Sequence, residues 1–99
     1  MVHVLADVTI AATNTPQQLS ATAIRACWVQ VFSKTGNNTS SRIGDSLTTS
    51  ARGAPIIPST SNNTPFYFPP CSSTDTYDLS AIWINGTQND VYYVIYGTT

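Results

Sequence analysis

Ninety-nine residues suffice for one domain with one thin core, burying roughly 65% of the unfolded chain's surface. Only 9% of the residues are charged, against about 25% in an average chain, and glutamate is missing altogether. A net charge of -1 gives no electrostatic reason to expect nucleic acid or an anionic membrane, and no apolar run nears the ~20 residues of a membrane span.

Thr, Ser and Asn supply the polarity instead, beside Val, Ile and aromatics. The first group competes with helical hydrogen bonds and the second suits pleated surfaces. The composition predicts an almost purely β protein.

In chain order, "MVHVLADVTI" has no basic n-region, long apolar h-region or clean cleavage site, so synthesis without a signal peptide is expected. Residues 1–5 could form an extended arm. "HVLADVTIAA" (3–12) alternates in part, with Val4, Ala6, Val8 and Ile10 on one face of an extended segment. "NTPQQ" (14–18) is a turn, and Pro16 ends any strand there. "LSATAIRACWVQVFS" (19–33) is the strongest central strand. Cys27, Val29 and Val31 point one way, and Ala26, Trp28, Gln30 and Phe32 the other. Apolar residues on both faces predict one face on the core and one on a neighbour.

"KTGNNTSS" (34–41) is a loop or hairpin connection, and "RIGD" (42–45) a short strand ending at Gly44. "SLTTSARGAP" (46–55) is a loop, with Gly53 free to take positive φ. "IIPS" (56–59) is an edge piece because of Pro58, and "TSNN" (60–63) a turn. "TPFYFPP" (64–70) is a strand of four or five residues fenced by prolines. "CSSTDTYD" (71–78) connects it to "LSAIWIN" (79–85) and "DVYYVIYG" (90–97), two strands expected to form a hairpin over "GTQN". The stretch 42–70 thus reads as three short strands punctuated by turns, since a structureless loop of that length is uncommon in a compact domain. Seven or eight short antiparallel strands in a single all-β domain over 1–99, a small β-sandwich or jelly-roll-like barrel, are the prediction.

The chemistry-bearing residues are few. His3 is the only histidine and is expected at the mobile end of the chain, so no Ser-His-Asp arrangement and no zinc site is predicted. Asp75 and Asp78 are the closest carboxylates, but in a Ser/Thr-rich connection Asp ordinarily caps its own backbone. "GDS" (44–46) has no G-x-S-x-G frame, and "SARGAP" lacks a phosphate loop's lysine and spacing. Cys27 and Cys71 could pair, although a buried free thiol is the plainer reading of Cys27. Asn37, Asn38, Asn62 and Asn85 open Asn-x-Ser/Thr triplets, which a chain this rich in those residues produces by chance. No catalytic, cofactor-binding or metal-binding residue is predicted, and no cofactor.

Aromatics are the remaining signal. "FYF" and "VYYVIY" put rings on both faces of their strands, and a chain of this size cannot cover both. Phe66, Tyr67, Tyr92 and Tyr93 are the candidate interface residues, some of them shielded by a neighbouring chain or by the larger body the protein sits on.

"VTIAATNTPQQLSATAIRACWVQV", then "IGDS", a Gly-Pro loop, "FYFPP" and the closing "YDLSAIWINGTQNDVYYVIYG" resemble small all-β virion proteins of tailed bacteriophages, over nearly the whole chain. Some of these act as capsid decoration or cement proteins. The resemblance implies a jelly-roll or sandwich fold, a structural role at the virion surface, and a strand-end turn at Gly44, Asp45 and Ser46. It implies a homo-oligomer, with a trimer favoured, and the major capsid protein as partner. The alternative is a tail or fibre module, or a carbohydrate-binding module that contacts host glycans through exposed aromatics. A small hydrolase is the third and weakest reading.

Overall fold

The computed structural model describes residues 1–34, 36–37, 41–49, 51–56, 66–70 and 76–98. Among them the strands are β1 (Val2–Val4), β2 (Val8–Thr9), β3 (Gln17–Gln18), β4 (Arg25–Ala26), β5 (Trp28–Ser33), β6 (Arg42–Gly44), β7 (Ala54–Pro55), β8 (Phe66–Phe68), β9 (Tyr77–Asp78), β10 (Trp83–Asn85) and β11 (Val91–Gly97). A single 3-10 turn, Leu79–Ala81, is the only helical piece among the described residues. All pairings are antiparallel. The all-β class expected from composition is the class observed, and its arrangement is consistent with a small β-sandwich.

The larger sheet runs β1-β11-β5-β8, with β2 also paired to β11 beyond β1. The smaller runs β3-β10-β6-β7, and β4 pairs with β9 as a separate ribbon. Period-2 alternation explains which residues meet between the sheets. Along β5, Val29, Val31 and Ser33 are buried while Trp28, Gln30 and Phe32 are half-buried. Val29, Val31, Tyr92 and Val94 from the larger sheet join Ile43 and Ile84 from the smaller in one core, closed by Ile10, Leu19, Ile56, Leu79 and Ile82. Trp28 and Trp83, the first residues of β5 and β10, are both partly buried.

Four expectations change in detail. Residues 79–85 and 90–97 do not form a hairpin: β10 pairs with β3 and β6, and β11 with β1, β2 and β5. The connecting backbone is claimed by the 10–14 segment instead. Asn89 N–H donates to Ile10 O at 2.9 Å, Gln88 N–H to Thr13 Oγ1 at 2.9 Å, and Gly86 O accepts from Asn14 N–H at 3.0 Å. Asn89 takes positive φ, 75°, and the chain arches from one sheet to the other.

Segment 19–33 is likewise not one strand. Ser20 Oγ accepts from Thr22 N–H at 3.1 Å in a tight turn. Arg25–Ala26 pairs with β9, and at Cys27 the chain crosses to the larger sheet. Only β5 has the expected central place, between β11 and β8.

Segment 3–12 breaks at residues 5–7, so Val4 and Ala6 are exposed while Val8 and Ile10 are buried. The N-terminal residues are docked as β1 on β11, not free. His3 is half-buried, stacks on Tyr96 with ring centroids 5.1 Å apart, and places Nε2 3.1 Å from Thr98 Oγ1.

Between 42 and 70, β6 and β8 fall where predicted, and Ala54–Pro55, expected within a loop, forms a strand; residues 57–59 of the expected edge piece lie outside the described residues. Residues 57–65 lie outside the described set, as do Cys71 and Asp75.

Candidate functional site: the outer face of the larger sheet

Register assigns every side chain of the larger sheet to one of two faces. Phe66 and Phe68 stand opposite Val31 and Val29, on the inner face, and Tyr92 stands there opposite Ser33. Tyr92 is fully buried and its hydroxyl bonds to Ser41 Oγ. Burial pushes the phenol's pKa up to about 12, aided by the charge of Asp90, while the Ser41 bond acts the other way. Phe66 packs on Phe68 at 5.2 Å, and Phe68 meets Tyr77 edge-on at 5.4 Å. Two of the four candidate interface rings, Phe66 and Tyr92, therefore belong to their own chain's core face.

The other two, Tyr67 and Tyr93, point outward. They lie in an apolar surface built of three rows. Val4, Ile95, Gln30 and Tyr67 form one row across the four strands. Tyr93 and Phe32 form the next, and Val2, Gly97 and Trp28 the third. None of these residues is charged; Lys34 follows β5 at the rim. Val2 is 66% exposed, Val4 78%, Tyr67 47% and Tyr93 37%. Sequence reasoning grouped Phe32 with Trp28 and Gln30 but missed Val2, Val4 and Ile95 as members of this face. Once the strand order is known, alternation alone identifies them.

The smaller sheet treats its outer face differently. Thr48 and Gly53 of the following loop pack against its Arg42–Gly44 and Asn85 end. A Cβ added at Gly44 would come 2.6 Å from Thr48 Oγ1, and one at Gly53 would come 2.8 Å from Ile43 O. The buried Asn85 donates to Thr48 O at 3.2 Å, and Arg42 Nη1 to Gly53 O at 3.0 Å. Asp45 accepts from Leu47 N–H at 2.9 Å and from Arg52 Nη1 at 2.7 Å. The Arg52 hydrogen bond and then the Leu47 N–H hold its carboxyl below the usual aspartate value. The "GDS" stretch is thus a strand-end turn. Leu47 is an exposed large apolar residue in this loop.

The remaining chemistry-bearing groups are engaged structurally. Asp78 caps the 3-10 turn, accepting from Ser80 N–H at 2.9 Å and Ser80 Oγ at 2.8 Å, contacts that keep its carboxyl ionised to lower pH. Asn37 extends the β11 ladder, donating to Val91 O and accepting from Val91 N–H at 3.0 Å. Asn85 is too buried to accept a glycan. Cys27 Sγ is a free thiol directed at Gly97 O, 3.2 Å away. No group of three His, Cys, Asp or Glu residues is placed to hold a metal among the described residues. Comparison with known protein families, with characterised proteins and with solved structures finds no match for this chain.

Proposed function

We propose that this chain is a structural protein of a tailed-bacteriophage virion, of the capsid decoration type, seated on the major capsid protein through the outer face of its larger sheet. The carrying observation is the contrast between the two outer faces. Among the described residues, Thr48 and Gly53 pack on the Arg42–Gly44 and Asn85 part of the smaller sheet, while the larger leaves rings and valines in solvent. Contiguous apolar surface on a small domain marks a contact site. Tyr and Trp are enriched at such contacts, and charged residues are depleted from their centres. The resemblance to small virion proteins supplies the kind of partner.

The work done is mechanical rather than catalytic. The chain is made in the host cytoplasm, binds the assembled shell, and buries apolar area across joints between capsid subunits. Separating those subunits then exposes that area again. Particles stripped of this protein burst at lower temperature or lower salt than complete ones under this reading.

Trp28, Tyr67 and Tyr93 grouped around Gln30 are also the feature on which a tail or glycan-binding reading rests. Stripped particles that are fully stable, yet fail to adsorb to host cells, favour that reading instead.

A further inference from the structure

Asn85–Gly86 is the chain's only Asn-Gly pair. In a flexible peptide such a pair readily loses ammonia, because a glycine nitrogen, with no side chain beside it, can close on the preceding asparagine. Two separate contacts put the pair at the end of β10. The buried Asn85 donates through Nδ2 to Thr48 O at 3.2 Å. Gly86 is buried too, and its site is tight: a Cβ there would come 3.1 Å from Tyr92 Oη, 3.3 Å from Ile10 Cγ1 and 3.4 Å from Ser41 Oγ. Its carbonyl accepts from Asn14 N–H at 3.0 Å. The native contacts thus favour a chemically labile pair and enclose it.

We propose that Asn85 is a self-modification site that folding closes. In the unfolded chain the Gly86 nitrogen attacks Cγ of Asn85. A C–N bond forms, the Cγ–Nδ2 bond breaks, and the Gly86 proton leaves with Nδ2 as ammonia. Solvent water then opens the cyclic imide at either carbonyl, leaving aspartate or isoaspartate. In the native chain residue 85 is held extended and buried in β10, and its carboxamide is tied to Thr48 O. The nitrogen and Cγ are kept apart, so attack waits for the strand to open.

The two products differ in what they do to the fold. Isoaspartate adds a carbon to the main chain at residue 85, immediately before the close-packed Gly86. Neither the pairing of Asn85 with Arg42 nor the space around Gly86 has room for it, so this product does not refold. Aspartate keeps the backbone intact. Its carboxylate cannot donate to Thr48 O, but Arg42 stands opposite on β6 as a cation. Aspartate-bearing chains therefore refold. A chain that lingers unfolded is withdrawn irreversibly in proportion to its isoaspartate, while a folded chain is spared. This follows from the fold alone and does not depend on the proposed role at a capsid.

Timed incubation of the full chain at mildly alkaline pH, native and in urea, tests this. Each sample is diluted to refold, the folded pool is separated, and peptide mapping with chromatography that resolves the two acids reads residue 85. Conversion of Asn85 should run several-fold faster in urea than in the native chain. The refolded pool should hold asparagine and aspartate at residue 85 and be depleted of isoaspartate, which stays in the pool that fails to fold. Chains kept in urea at mildly acidic pH, where the Gly86 nitrogen keeps its proton, should refold in full. A native chain converted at residue 85 as fast as the unfolded one overturns the proposal. So does a refolded pool with as much isoaspartate at residue 85 as the sample before dilution.

Discussion

The indole of Trp28 lies against Gly97, its opposite number on β11, so closely that a side-chain carbon at position 97 would overlap the ring. The glycine is what lets the largest ring of the outer face lie down on the sheet. Gly97→Ala should destabilise the fold by about 1–3 kcal/mol, the usual cost of overpacking. Thermal unfolding measures the loss. Adding Trp28→Ala should recover part of it, because the clash is then gone; strictly additive losses in the double variant would contradict the contact.

Tyr92 ties stability to alkaline pH. Its pKa is raised from 10 to about 12 by burial, so the fold favours the neutral phenol. That contribution is complete below pH 10 and is lost as pH rises from about 10 through 12, by up to about 3 kcal/mol. Denaturation midpoints between pH 8 and 12 should fall more steeply for the unmodified chain than for Tyr92→Phe. Parallel curves would show that the phenol does not ionise with unfolding.

"VYYVIY" has apolar side chains at both parities, so alternation predicts two faces but cannot say which one is inward. The neighbouring strand settles it: Tyr92 pairs with the buried Ser33, and Tyr93 with Phe32. Strand existence was legible at β5, β6, β8 and β11, where apolar runs end at Gly, Pro or polar clusters. Which sheet a strand joins was not. The hairpin at 86–90 looked local, yet Gly86, Gln88 and Asn89 bond through their backbone to residues 10–14, more than seventy positions away. The apolar surface of β1 was hidden for the same reason: Val4 continues the alternation of Val8 and Ile10 in sequence, and only the break at residues 5–7 puts it on the other side.

Gly53 is a second position where the backbone dictates the residue. Its φ is +124°, and Ile43 O and Thr48 Cγ2 crowd the place of a Cβ. Gly53→Ala should cost on the order of 1–3 kcal/mol and lift loop 45–53 from the smaller sheet. A thermal shift together with faster exchange of the Thr48 amide, which donates to Asp45 O, is the expected signature.

Acid should loosen the same loop. The Asp45 carboxyl is held below its ordinary value by Arg52, so its contribution is present above the unfolded pKa, near 4, and lost as pH falls through the folded one. NMR titration should find Asp45 still ionised where an ordinary aspartate is half protonated, and Arg52→Gln should shrink the difference to what the Leu47 N–H supplies.

The exposed rings separate binding from folding. Tyr93→Asp and Tyr67→Ser should leave the isolated domain within about 0.5 kcal/mol of its parent, as surface substitutions do. Each should weaken attachment to capsids by ~1–3 kcal/mol, roughly 5- to 150-fold, if the ring anchors the contact. Co-sedimentation with stripped shells reads the second effect and urea unfolding the first. Tyr92→Ala should do the reverse, collapsing the fold.

A density map of the virion that carries this chain tests the central claim most directly. The account predicts density for the domain on the capsid exterior, with Val2, Val4, Tyr67 and Tyr93 turned onto the major capsid protein and loop 45–53 toward solvent. The domain found on the tail or a fibre, or on the capsid with those four residues facing water, would contradict it.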